Sequence, residues 1–224
     1  MVEDSPSFFF VNPLTRARIE LPSLSNFPTF LAELVFQNSR NFNVNFIRRE
    51  NMFVTLLFTE AMLSADPSLA ADFVVAIIYG VNENIAFCRS GDVDWPLIDE
   101  SLKHSRYKDI MFCAGKLYVV DRMGRISICN VANTPTMIHL ADPPQISSWM
   151  GYKQWYLASL NEELPMVARY RKVIPDFEYK TDRFDVDELD ANGTNWLKLE
   201  NLADQILFLG WNSSLTISAK NYTK

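Results

Sequence analysis

The sequence predicts an all-β fold, and three observations carry that reading. Short apolar and β-branched runs recur along the chain, cut by turns rich in Gly, Asn, Asp and Pro. The 16 Phe, 8 Tyr and 5 Trp are residues that suit half-buried strands. After about residue 72 no apolar pattern of helical period and helix length appears.

The first run, Phe8-Phe9-Phe10-Val11, is stopped by Asn12-Pro13, because proline cannot donate to a strand ladder. A second extended segment covers Arg18 to Leu21 and ends at Pro22. Pro28 to Gln37 reads as loop or weak helix. Asn41 to Arg49 alternates like a half-exposed strand, and Asn51 to Thr59 is apolar enough for either type, with strand preferred. Phe73 to Tyr79 is continuously apolar, as a strand buried on both faces requires, and returns after Gly80–Asn84 as Ile85 to Arg89. Trp95 to Ile98 follows as a short strand.

Next, Asp109 to Cys113, a turn at Ala114-Gly115 and Lys116 to Asp121 form a hairpin. A tight turn at Met123-Gly124 leads into Arg125 to Val131, giving a three-strand meander. Beyond Pro143-Pro144 the layout recurs: Gln154 to Leu160, Leu164 to Arg171, Phe177 to Leu189 and Trp196 to Leu199. Ile206 to Gly210 and Leu215 to Ala219 open a further hairpin.

Two blocks thus share one order: strand, turn, strand, then a late tryptophan at Trp95 or Trp196. A blade of four short antiparallel strands with a Trp-bearing outer strand is the repeat of a β-propeller. One blade cannot cover both of its faces, so blades stack around an axis, and each late Trp would cover a blade edge or the gap between neighbours. Two core tryptophans of a β-sandwich are the alternative.

Residues that carry a family resemblance lie in three groups. Asn12-Pro13-Leu14-Thr15 precedes Ile19-Glu20-Leu21-Pro22. Tyr107-Lys108-Asp109-Ile110 is followed by Gly115-Lys116-Leu117-Tyr118-Val119-Val120-Asp121 and Gly124-Arg125-Ile126. Phe184-Asp185-Val186, Leu189-Asp190 and Trp196-Leu197-Lys198-Leu199 lead to Leu202 through Gly210 and Leu215 through Ala219. In this order they resemble the plant F-box-associated, kelch-like domains of the SKIP and KIB type, across roughly residues 8 to 219. The resemblance implies one propeller-like domain over residues 1–224 that presents a protein substrate to an SCF-type ubiquitin ligase. In that family an F-box precedes the propeller and binds a Skp-type adaptor. No such helical segment stands before Phe8, so adaptor binding is carried to no residue here. The family's domain also continues past the Ser218-Ala219 region, whereas this chain stops at Lys224. Either the ring closes in another way or the domain is partial; a scaffold or decoy that binds the same partner is the alternative function, and a hydrolase built on a propeller is a third reading, behind both.

Composition narrows the remaining classes. The net charge of −6 opposes nucleic-acid binding, which needs a basic surface to release phosphate counterions. Arg169, Arg171 and Lys172 read as an ordinary exposed strand edge. No 18-residue apolar run exists, so no membrane span is expected, and the acidic start has no signal-peptide pattern. The three cysteines, Cys88, Cys113 and Cys129, sit in apolar strand patterns and suit reduced, buried thiols of the cytosol or nucleus.

No catalytic motif is found. The two histidines, His104 and His139, stand near no G-x-S-x-G nucleophile elbow, and His139 reads as a packed or edge residue. Cys113 has no adjacent cation to activate it. The acids from Asp182 to Asp190 fail the calcium-loop spacing, because Asp190 stands where that loop needs glycine. Gly115-Lys116 belongs to a hairpin turn, not a phosphate loop. The expectation is therefore a non-enzymatic chain with no cofactor and no metal, which binds another protein through its blade-connecting loops. Trp149, Tyr152 and Trp155, grouped around Gly151, are the candidate contacts; packing between blades is their alternative role.

Overall fold

A computed structural model describes residues 8–12, 15–16, 18–23, 58–80, 82–96, 106–131, 135–144, 152–160, 163–175, 178–190, 192–210 and 213–222. The segments read as Pro28–Gln37 and Asn41–Arg49 lie outside these residues.

Among the described residues, fifteen strands form five antiparallel sheets in chain order. β1 (Phe8–Val11) and β2 (Arg18–Leu21) make the first, joined through Asn12, whose Oδ1 accepts the Thr15 N–H at 3.1 Å. β3 (Phe58–Leu63), β4 (Val74–Tyr79) and β5 (Asn84–Arg89) make the second. The third is four-stranded: β6 (Tyr107–Cys113), β7 (Lys116–Asp121), β8 (Ile126–Asn130) and β9 (Thr136–Ala141). So is the fourth: β10 (Tyr152–Leu157), β11 (Met166–Val173), β12 (Tyr179–Leu189) and β13 (Trp196–Lys198). β14 (Gln205–Leu209) and β15 (Ser214–Ser218) make the fifth, followed by a short 3-10 turn. Strand order within each sheet follows the sequence, the meander of a propeller blade.

Alternation of side chains turns these sheets into a stack. On β4, Ala76 and Ile78 join Phe87 of β5 against Ile110, Leu117 and Val119 of the third sheet. The odd members Val75, Ile77 and Tyr79 point the other way, toward Trp95 and the partly buried Phe10 and Leu21 of the first sheet. The third sheet repeats the device, with Met111, Val120 and Ile126 packed on Trp155, Leu157, Met166 and Tyr170 of the fourth. A period of two with both parities apolar is what a blade between two blades demands.

The leading strands β3, β6 and β10 lie side by side, and one carboxylate ties them together. Asp109 on β6 accepts the N–H of Ile110 (2.8 Å), the N–H of Leu157 on β10 (2.9 Å) and the hydroxyl of Ser214 on β15 (3.0 Å). Glu60 on β3 meets it from the remaining side. Both acids are buried. Burial, and then the Asp109 charge, push Glu60 up to about 12, so the pair keeps at least one proton at neutral pH.

Both late tryptophans bridge sheets. Trp95 donates its indole N–H to the Pro22 carbonyl at 3.1 Å, and Trp196 donates to the Asp142 carbonyl, just past β9, at 2.7 Å. Trp95 and Pro96 lie outside any strand, and the rest of the short strand expected there, Leu97 and Ile98, lies outside the described residues. β9 is a strand that sequence patterning did not mark; of the run read as Asn51–Thr59, Phe58 and Thr59 open β3, and 51–57 lie outside the described residues.

Candidate functional site

In the third and fourth sheets, the register sets both ends of the blades. Tyr107 pairs with Asp121 and Val120 with Ile126 at one end, and Cys113 with Lys116 at the other. In the fourth sheet Tyr152 pairs with Arg171, and Val173 with Tyr179, at the first of these ends. Adjacent blades run the same way, since the Cys113 Sγ lies 3.5 Å from the Ser159 Oγ at the far end of both. The β4–β5 and β7–β8 turns, the β11–β12 link and the starts of β6 and β10 therefore share one rim.

That rim presents an aromatic and basic cluster on the fourth blade. Tyr152 and Tyr179 are exposed, with ring centroids 5.9 Å apart and planes inclined by 57°. The Arg171 guanidinium lies 5.0 Å from the Tyr179 ring, and its Nε has no hydrogen-bond acceptor. Val173 extends the apolar part of the surface. Beside it, the Arg183 guanidinium lies 3.8 Å from the Tyr170 ring and Lys153 approaches the same ring at 5.7 Å. Desolvation, with Arg183 nearby, holds the Lys153 ammonium below its ordinary value. Lys172 pairs with Asp182 at 2.9 Å. Paired strands hold these side chains, so the surface is preorganised rather than carried on a loose loop.

The three aromatic contacts expected from the sequence separate here. Tyr152 is exposed at the rim. Trp149 lies outside the described residues. Trp155 is corrected: it is 4 % exposed and packs in the core between the third and fourth blades, so its ring is not offered to a partner. Its ring also roofs Gly124, where an added Cβ would sit 2.6 Å from the indole. Glycine at φ 85° makes that approach feasible. The edge reading of Arg169, Arg171 and Lys172 is corrected as well, because β11 lies inside the sheet between β10 and β12. Arg169 donates to the Thr181 hydroxyl at 2.6 Å and 2.8 Å, and so is fixed to the neighbouring strand.

Other polar groups act locally. Asp121 accepts the N–H groups of Met123 and Arg125 and pairs with the Arg125 guanidinium at 2.7 Å, which closes the β7–β8 turn. Asp185 is bound by Lys198 and Arg183. Asp190 collects Thr194 and Asn195 in the β12–β13 turn and is lowered to about 2 by those bonds. Among the described residues, no three acidic, histidine or cysteine side chains converge as metal ligands would. Cys88, Cys113 and Cys129 are buried free thiols; burial pushes Cys88 and Cys129 up to about 12, far from a reactive thiolate. His139 stands on the edge strand β9, 3.6 Å from Asp142.

Three curated relatives, all from Arabidopsis thaliana, resemble the chain. A putative F-box protein is 27% identical over 207 residues, covering 90% of this chain and 53% of the relative. The F-box protein KIB4 is 22% identical, covering 99% and 54%, and the F-box protein SKIP23 is 25% identical, covering 94% and 54%. The chain thus spans about half the length of the curated relatives it matches. No solved structure gives a significant match. The profile of the KIB1-4 beta-propeller family matches residues 1–224, and with the stacked four-stranded blades this places the chain in that family.

Proposed function

We propose that this chain is the protein-recognition part of an F-box protein and holds a substrate for an SCF-type ubiquitin ligase at its aromatic rim. The observation that carries this reading is the Tyr152–Tyr179–Arg171 cluster: exposed aromatics and an arginine on paired strand ends. Tyr and Arg are the residue types that dominate binding energy at protein interfaces. The names of the matched relatives, all F-box proteins, support the ligase context. Residues 1–224 act as one domain without catalysis or cofactor, in the cytosol or nucleus, where the three thiols stay reduced. A Skp-type adaptor is assigned to none of the described residues.

Affinity capture from plant extract, followed by mass spectrometry, tests the reading. It uses this tagged chain beside a form with an F-box joined upstream. The expected result is one specific protein held by both forms, with adaptor and cullin joining only the second. Failure of either form to hold a specific protein would sink the reading. A shared partner that the F-box form leaves unubiquitinated would favour a scaffold or decoy instead.

A further inference from the structure

We propose that the rim carrying Tyr152 and Tyr179 takes an acidic segment of its partner protein. The inference rests on the recognition reading above and adds the chemistry of what is recognised.

Charge is divided between the two rims, although the chain as a whole carries −6. On the aromatic rim Arg106, Arg122 and Lys180 are exposed, while Lys153 and Arg171 are half-buried beside tyrosine rings. Among the described residues none of these five makes an ion pair. The acids of this rim are largely engaged: Glu83 pairs with Lys108, Asp121 with Arg125 and Asp182 with Lys172. Asp142, beside His139, and Glu178 remain. The opposite rim is acidic. Asp66 and Asp72 lie in the β3–β4 link, Asp92 and Asp94 follow β5, and Glu163 and Asp190 follow β10 and β12. Among the described residues, Arg89, Lys116 and Lys198 are the cations placed there.

A surface divided in this way orients an approaching acidic segment toward one rim and turns it from the other, which raises the association rate and fixes the docking face. The tyrosine rings give the same segment apolar contact, and the half-buried Arg171 guanidinium, held beside the Tyr179 ring, adds a fixed positive charge for a carboxylate. A nucleic acid fits less well. The rim's cations are interleaved with acids, and a continuous phosphate backbone would meet Glu178, Asp182 and Asp142 as well as the arginines.

Fluorescence anisotropy tests the proposal with a short fluorescein-labelled peptide of glutamate and tyrosine, a lysine and tyrosine peptide of equal length, and a single-stranded RNA oligonucleotide. The acidic peptide should bind, weaken as salt rises, and outcompete both other probes. R122A and K180A, at exposed side chains that pair with no acid among the described residues, should each weaken it about twofold to fivefold with unchanged melting. D72N on the opposite rim should leave it unaltered. No binding of the acidic peptide, or unaltered affinity in the R122A/K180A double variant, overturns the proposal. Equal or tighter binding of the RNA overturns it in favour of nucleic acid. If the double variant loses no affinity for a captured protein partner, the rim assignment fails while the recognition reading stands. Capture of no specific protein sinks the reading itself, separately from the peptide result.

Discussion

The stacked middle of the molecule and its last sheet use similar residues with opposite results. Every residue of β4 from Val75 to Tyr79 is buried, because blades cover both of its faces. β14 reads Gln-Ile-Leu-Phe-Leu, as apolar after its glutamine, yet Ile206 and Phe208 are exposed, as is Leu215 on the paired β15. Phe184 and Leu197 on the fourth blade are exposed as well. Hydrophobicity marks a propeller strand in both places, but burial comes from the neighbour stacked against it.

Removing the same ring from each region tests the contrast most severely. Phe87 is fully buried between the second and third blades, so F87A should cost about 3–5 kcal/mol in urea unfolding. A loss of less than about 1 kcal/mol would mean the blades are not stacked as described.

G124A should follow, at about 2–4 kcal/mol. It adds a left-handed backbone penalty to a Cβ that collides with the buried Trp155 ring. A wild-type melting temperature in that variant would contradict the packing of Trp155.

The carboxyl pair makes a pH-dependent prediction. Glu60 binds its proton more tightly folded than its ordinary value of 4.5 allows, so its contribution is complete below about pH 4.5 and fades as pH rises toward 12. Asp109, raised by burial, acts in the same sense. E60Q removes the titration of Glu60, and should gain on wild type by about 1 kcal/mol per pH unit between pH 5 and 8. Parallel stability curves would show that the pair holds no extra proton.

W95F keeps a ring but loses the bond to the Pro22 carbonyl, for about 1–2 kcal/mol, with faster amide exchange in β1–β2. The smallest effect closes the comparison: F208A on the uncovered face of β14 should stay within about 0.5–1 kcal/mol.

The blades were legible because their strands alternate or run apolar between tight turns. The pairs Cys113↔Lys116 and Val120↔Ile126 sit where the turns at Ala114-Gly115 and Met123-Gly124 required them. β9 escaped because an outer strand is covered unevenly, and Thr136, Ile138 and His139 are exposed. Only Phe58 and Thr59 of β3 fell in a run read as strand, because Glu-Ala-Met-Leu after them mixes helix formers with an acid, and only the meeting with Asp109 explains Glu60 in a strand. Trp155 was misread although parity along β10 separates it from Tyr152: the first shares a face with Leu157, the second with Gln154 and Tyr156. Tyr179 carried no signal of its own, because its closeness to Tyr152 arises only through β11, which lies between them.

The aromatic rim is the face proposed to bind protein. Hydrogen–deuterium exchange of the chain with and without its captured partner tests it most directly. Exchange should slow at the start of β10, the end of β11 and the start of β12. Protection at the opposite rim instead, around Gly115 and the turn after Asp190, would contradict it.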